Sequence, residues 1–506
     1  MEHGEPSVLV NVGQGSKWYA VFVCVFASVG GLSFGYDQGA TGGVLVMTSF
    51  LNHFCVGHDG NTYDQCTASS LDVPHNWTNF TTTYNVLYFV GCMVGSLLGG
   101  LAADKLGRRT AIFTAGLFYF AGSCLLAFTT QSNHAMALIA RVIQGLGVGN
   151  ASFSAPLFGV EMAPLELRGM LSGFLSMAIS TGTLLAGLIG YGLQHFDHGW
   201  RTTVALGMIT PLILMLGAFF LPESPRWIYQ HKGRHAAEAT LAKLRKTTDV
   251  GEELKAIGDM LDELGSSEEA SWKDVFDATV RRRIGIAMVL AALQQMTGVT
   301  IVFAYGAQIF KDVLEDGIRT LLIFQAITFV SSITAMYWVD RAGRRTLLLL
   351  GGLGMVLGHF VTGLSFSVGC HTASNDFGCG KGAGWIMVVS TAFFMFSFGL
   401  SWGPICWIYP AEIFPLKVRA RAVSVSTFAN WAMAAVMIEA PKLFPTLHVN
   451  GVFFLVAFLC LCGCVFVYYM CPETKGVGLE DIELLFNVNK THLDAHAIET
   501  PADDKL

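Results

Sequence analysis

Asp104-Lys105-Leu106-Gly107-Arg108-Arg109 returns 236 positions later as Asp340-Arg341-Ala342-Gly343-Arg344-Arg345. Two further stretches repeat in the same order. Glu161-Met162-Ala163-Pro164-Leu165-Glu166-Leu167-Arg168 returns as Glu412-Ile413-Phe414-Pro415-Leu416-Lys417-Val418-Arg419, and Pro222-Glu223-Ser224-Pro225-Arg226 has a partial echo in Pro472-Glu473-Thr474-Lys475. One Gly-Arg-Arg turn would be an ordinary basic loop. Three paired elements in one order imply two halves of the same topology, and parallel repeats of this kind build transporters that rock one half against the other around a central site.

The residues between these loops are apolar. The 506-residue chain is 53% hydrophobic and 13% charged, against roughly 25% charged in soluble proteins. A membrane span needs about 20 residues with few charges. Runs that qualify fall at 18–46, 83–103, 110–130, 135–156, 170–192, 202–221, 284–311, 318–339, 346–368, 384–409, 420–440 and 450–471. The expected fold is therefore all-α and membrane-embedded, with twelve spans in two six-helix bundles. The expected units are 1–222 and 284–472, joined by a charged helical linker, 223–283, and followed by a tail, 473–506. Net charge is -6 without a basic block, so nucleic acid is not an expected partner. Residues 1–16 are polar and no cleavage site follows the first run, which should stay as a helix.

Basic residues orient the bundle. Lys17, Arg108, Arg109, Arg168, Arg344, Arg345, Arg419 and Lys475 share one side, and the loop from Leu51 to Thr83 has no Lys or Arg. Both termini and the linker are expected in the cytosol, with the plasma membrane as location. The opposite loops hold Cys55, Cys66, Cys370 and Cys379, which suggests two disulfides with three possible pairings. They also hold two acceptor patterns for glycosylation, at Asn76 and Asn79.

Two kinds of charge follow. Asp104, Arg108, Arg109, Glu161, Arg168, Glu223, Arg226, Asp340, Arg344, Arg345, Glu412 and Arg419 lie at helix ends, where a network bridging the halves would bias one conformation. Asp37 and Arg141 instead fall inside apolar runs. A mid-membrane charge costs about 2.5–3.5 kcal/mol on insertion scales, so such residues pair or line a pathway. For a substrate, Gln294, Gln295 and Asn430 offer amides that donate and accept, Trp407 offers a flat face and an N–H, and Phe34 an apolar wall. His359 reads as a satisfied core residue. No nucleophile constellation, metal spacing or phosphate loop is present, so neither an enzyme nor a cofactor is expected.

Several motifs together resemble the sugar porter family of the major facilitator superfamily over roughly 18–475. They are Gly35-Tyr36-Asp37-Gln38-Gly39, the two Asp-x-x-Gly-Arg-Arg loops, Arg141 to Gly149, Pro222 to Arg226, Gln294-Gln295-Met296-Thr297-Gly298, Trp402 to Trp407, Asn430-Trp431 and Pro472-Glu473-Thr474. The resemblance implies the major facilitator fold, a sugar site at Gln294, Gln295, Asn430 and Trp407, and a conformational salt-bridge network at the helix-end charges. Proton-coupled members carry aspartate and arginine at the positions of Asp37 and Arg141, whereas facilitative members commonly have asparagine at the first. Proton symport of a monosaccharide, a hexose by default, by a chain that works as a monomer in lipid is thus expected. The rivals are a uniporter of the same fold and a non-transporting sugar sensor. Ser176, Thr300 and Thr328 stand where the family places amides, with Gln325 one turn from Thr328, which implies a roomier site with fewer donors.

Overall fold

The computed structural model describes residues 17–68, 73–162, 168–263, 272–314, 316–373, 376–415, 418–475 and 486. Eleven stretches among these are long and apolar enough to cross a membrane, and the last, Arg421–Met470, is 50 residues long and contains two helices. The first half comprises α1 (Lys17–Ala27), α2 (Val29–Val44), α3 (Thr48–Phe54), α4 (His75–Leu106), α5 (Arg108–Ala127), α6 (His134–Met162), α7 (Arg168–Leu193), α8 (Gly199–Gly207) and α9 (Ile209–Ala218). Three amphipathic helices follow: α10 (Pro225–Lys232), α11 (Arg234–Arg245) and α12 (Gly251–Glu263). The second half comprises α13 (Ala278–Met296), α14 (Val299–Leu314), α15 (Gly317–Ala342), α16 (Arg344–Gly369), α17 (Lys381–Leu400), α18 (Trp402–Ile413), α19 (Arg419–Met437) and α20 (Phe444–Met470). Between α16 and α17 the chain makes a two-stranded antiparallel ribbon, Cys370–Ala373 with Asp376–Cys379.

Small residues let these helices approach. A Cβ on Gly91 or Gly95 of α4 would collide with the backbone of Val142 or Leu146, and one on Gly145 or Gly149 of α6 with that of Tyr88 or Cys92. The two helices thus meet backbone to backbone, as small-residue spacings allow in membranes. The linker helices pack Trp227, Leu241 and Leu254 against Val23 of α1 and Ile112 of α5. Arg245 clasps Glu253 at 2.7 and 3.0 Å and donates to the Met162 carbonyl, which ties linker to bundle.

Several expected spans are not continuous. The run 284–311 breaks between α13 and α14, where Gly298 takes a φ of +82° that disfavours other residues. The run 384–409 breaks at Ser401, with φ -130° and ψ -81°. The second span starts earlier than expected, at His75 behind Pro74, so Asn76 and Asn79 sit on α4 and not in a loop. Asn76 is engaged there, with Nδ2 donating to Asp59 and Oδ1 accepting from Asn61.

Cys55 is disulfide-bonded to Cys66. Cys370 is also disulfide-bonded, and the ribbon register sets it opposite Cys379, whose side chain lies outside the described residues. A membrane-impermeant maleimide applied without reductant is expected to leave Cys55, Cys66 and Cys370 unmodified by mass spectrometry. Modification of all three would contradict this pairing.

Candidate functional site

A cavity lies between the halves. Phe34, Ser176, Gln294, Gln295, Thr328 and Trp407, all singled out from sequence, line it. Asn430 and Thr300 do not. They stand behind the glutamines and hold them. Asn430 Nδ2 donates to Gln294 Oε1 (2.7 Å) and the Ala291 carbonyl (2.8 Å), and Gln295 Nε2 donates to Asn430 Oδ1 (2.9 Å). Thr300 Oγ1 donates to Gln295 Oε1 at 2.5 Å. Gln294 Nε2 donates to the carbonyls of Trp402 (2.9 Å) and Gly403 (3.2 Å), which the break at Ser401 brings to the cavity wall. The donors of Gln294 and Asn430 are both fully used, so a sugar hydroxyl there exchanges for an existing bond, whereas Gln295 Nε2 donates one bond of a possible two among the described residues.

Gln38 also lines the cavity and was not singled out as a contact in sequence. Its neighbour Asp37 faces the other way, because successive helical residues point about 100° apart. Gln325, expected near the site, instead ties the halves together, with Nε2 donating to the Gly39 carbonyl at 3.1 Å.

Asp37 and Arg141 meet inside the first half. Arg141 Nη1 donates to Asp37 Oδ1 at 2.8 Å and to Gln144 Oε1 at 3.1 Å, while Nη2 reaches Thr41 Oγ1 at 3.4 Å. The guanidinium lies over the rings of Tyr84 (4.5 Å) and Tyr88 (4.3 Å). Both members are buried, at 6% and 2% exposure. Asp37 Oδ2 has no hydrogen-bond partner among the described residues. The pair lines its own small cavity, with Tyr119, Ser123 and Gln144, separate from the central one.

Among the helix-end charges of the described residues, Arg108–Glu161 and Arg344–Glu412 pair within their own half, and Arg421–Asp104 crosses between halves. Arg108 grips Glu161 through Nε and Nη2, each at 3.0 Å, and Asp104 lies 3.6 Å from Arg108 Nη1. In the second half Arg344 Nη2 reaches Glu412 at 2.9 Å. Glu223 caps α5, accepting from the backbone N–H of Arg108 at 2.9 Å and of Arg109 at 3.3 Å. Glu473 caps α16 in the same way, from Arg344 at 2.8 Å and Arg345 at 3.0 Å. Anions suit helix N-termini. Gly107 (φ +94°) and Gly343 (φ +89°) make room, since a Cβ on either would strike the capping carboxylate. Burial pushes the Glu223 carboxyl above its ordinary range, against the pull of the backbone donors. Burial likewise lowers the Arg226 guanidinium, opposed by Glu161. Arg345 Nη2 donates to the Tyr468 carbonyl, and Arg419 to the Phe414 carbonyl. The side chains of Arg168 and Asp340 lie outside the described residues.

Contacts that do cross between halves were less legible. At the charged end, Arg421 Nε lies 3.7 Å from Asp104 Oδ2, and Ser424 Oγ donates to the Ser96 carbonyl at 3.0 Å. Nearer the cavity, Trp431 Nε1 reaches Ser152 Oγ at 3.3 Å and packs edge-on against Phe34. At the disulfide end, Asn85 Nδ2 donates to Tyr305 OH at 3.3 Å, and Lys311 Nζ to the Thr67 carbonyl at 2.9 Å. The cavity is therefore bounded by cross-half contacts on both sides.

A family described as sugar (and other) transporter matches residues 23–486. Sugar transport protein 3 of Arabidopsis thaliana is 33% identical over 485 residues, covering 92% of this chain and 91% of the relative. The low-affinity glucose transporter HXT3 of Saccharomyces cerevisiae is 29% identical, covering 94% of this chain and 83% of its own. Among solved structures, the proton:xylose symporter XylE bound to 6-bromo-6-deoxy-D-glucose superposes with a TM-score of 0.75 at 25% identity, over 93% of this chain and all (100%) of that one. A partially occluded inward-open form of the xylose transporter XylE from E. coli gives 0.74 at 25% identity, over 91% of this chain and 100% of that one.

Proposed function

The chain belongs to the sugar transporter family of the major facilitator superfamily, and from that premise we propose that it carries a monosaccharide by proton symport through alternating access. The family consists of membrane transporters and not enzymes. The observation that carries the coupling is the buried pair Asp37–Arg141 at 2.8 Å in its own cavity. With Asp37 ionised, the pair balances its charge. A proton taken up at Oδ2 neutralises the carboxyl and leaves Arg141 to Gln144, Thr41 and the faces of Tyr84 and Tyr88. The change is transmitted along α2, because Phe34 and Gln38 border the central cavity on either side of Asp37. The wall residues Ser176 and Trp407 and the amide of Gln38 then meet the sugar directly, while Asn430 and Thr300 orient the glutamines.

The charged end is read as cytosolic, with both termini and α10–α12 on that side, and the disulfide end as external at a plasma membrane. The positive-inside bias supports this, as does the oxidised Cys55–Cys66 pair at the opposite end. The division at 222, 283 and 472 and the monomeric state belong to the same proposal. Purified protein in liposomes is expected to accumulate radiolabelled D-glucose or D-xylose when an inward proton gradient is imposed. Equal equilibration with and without the gradient would favour the uniporter.

Two substitutions separate direct contact from support. Gln38→Leu is expected to raise the half-saturating sugar concentration about two- to tenfold, the worth of one neutral hydrogen bond, without lowering stability. Gln294→Ala should weaken binding by a similar factor and also lower thermal stability, since the carbonyls of Trp402 and Gly403 lose their donor. Wild-type affinity in Gln38→Leu would remove that side chain from the site.

A further inference from the structure

A helix that stops and restarts leaves backbone groups to be satisfied elsewhere. Between α13 and α14 most find partners nearby. Thr297 Oγ1 donates to the Gln294 carbonyl at 2.6 Å, Gly298 N to the Gln295 carbonyl at 3.2 Å, and Val302 N to the Gly298 carbonyl at 3.1 Å. The Thr297 carbonyl is held from another helix. His359 of α16 places Nε2 at 2.9 Å from it. A carbonyl only accepts, so Nε2 carries the proton and Nδ1 is a bare acceptor. That Nδ1 has no partner among the described residues, and the ring is 2% exposed between Phe394 and Phe453. An apolar ring would pack in this position without burying an unmatched acceptor. What the histidine adds is the bond to Thr297.

The break packs closely against α20, where a Cβ on Gly298 would strike Val456. Gly298, Ile301 and Val302 also border a small gap shared with Val452 and Val456, and His359 forms part of its wall. On its other face α14 meets the first half, where Tyr305 takes Asn85 and a Cβ on Gly42 would strike the Phe303 carbonyl. The bend at Thr297-Gly298 therefore sets how α14 stands against the first half. It also sets how Gln294 and Gln295, three and two residues upstream of Thr297, present their amides.

We propose that His359 is a positioning residue for substrate binding: by holding the Thr297 carbonyl it fixes the bend of the seventh span, and through it the two glutamines and α14. This rests on the sugar-transport reading above. The test uses full-length protein in liposomes, with radiolabelled D-glucose and D-xylose as probes. His359→Phe keeps a ring but no donor, and His359→Gln offers an amide N–H of similar reach. His359→Phe is expected to raise the half-saturating concentration about 3- to 10-fold, with maximal rate per folded molecule nearly unchanged, and His359→Gln to restore it. In parallel, spin labels on α14 and α2 report the bend whatever the sugar. Their distance distribution should broaden in His359→Phe and not in His359→Gln. Should the phenylalanine variant not fold, His359→Asn, whose amide is too short to reach Thr297, takes its place with the same expectation. Unchanged affinity and distances in the donor-free variant would overturn the proposal. So would a glutamine variant as impaired as the phenylalanine one, which would assign the effect to ring packing. Wild-type protein that took up neither sugar would end the transport reading and leave the distance measurement to decide on His359.

Discussion

Asp37→Asn is expected to abolish uphill accumulation while leaving sugar binding and downhill exchange in place. The amide matches the protonated acid in size and charge but cannot release a proton. One charge moved across 100 mV gains roughly 2.3 kcal/mol, and one pH unit adds about 1.4, so symport supports about 3.7 kcal/mol or roughly 500-fold accumulation. The substitution should collapse that ratio toward one. Arg141 loses its counter-charge in the variant, at 2% exposure, so folding yield should fall as well. Uptake is therefore compared per binding site, across external pH. A merely structural ion pair would give a lower yield but normal accumulation per folded molecule. Full accumulation by Asp37→Asn would move the proton site elsewhere.

Arg108→Met should destabilise the protein far more than the equivalent Arg344→Met. The two arginines occupy the same place in the repeat, but their surroundings differ. The side chains of Arg108 and Glu161 are 7% and 5% exposed, against 11% and 22% for Arg344 and Glu412. Removing one member of a buried pair strands the other, at a cost of about 3–5 kcal/mol. The more solvated pair loses less because water re-solvates the remaining carboxylate, and Thr474 Oγ1 still donates to Glu412 at 2.7 Å. Melting temperatures in one detergent would measure both. Equal, small shifts would mean that both pairs are solvated in the working protein.

How much of this was legible follows from what each feature depends on. Spans and halves depend on hydrophobic length and on a repeated loop, and both are local. Asp37 and Arg141 stood out because each sits alone in an apolar run, and their pairing follows from what an unpaired charge costs there. The breaks at Thr297-Gly298 and Ser401 did not stand out, since both lie inside runs that stay apolar on either side. The grouping of Gln294, Gln295 and Asn430 was legible by residue type. That Asn430 backs the glutamines and does not line the cavity depends on the approach of α19 to α13, and that Thr300 does so depends on the break between α13 and α14. Gln38 was hidden by its neighbour Asp37. The spacing of the helix-end charges showed which residues cluster but not that Arg108 takes Glu161, and Arg344 takes Glu412, within one half. Arg421, which does cross to Asp104, lies in the first turn of α19 with no echo in the repeat.

Coupling itself is tested most directly by watching protons while sugar alone provides the force. Liposomes holding the wild-type protein, with no proton gradient and no membrane potential, are given an inward gradient of D-glucose or D-xylose, and lumenal pH is followed with a trapped dye. Proton symport requires the lumen to acidify as sugar enters, saturably with sugar concentration, and requires Asp37→Asn to lose the acidification while still exchanging sugar. Sugar entry at a normal rate with no change in lumenal pH would contradict the symport mechanism and leave a facilitative carrier of the same fold.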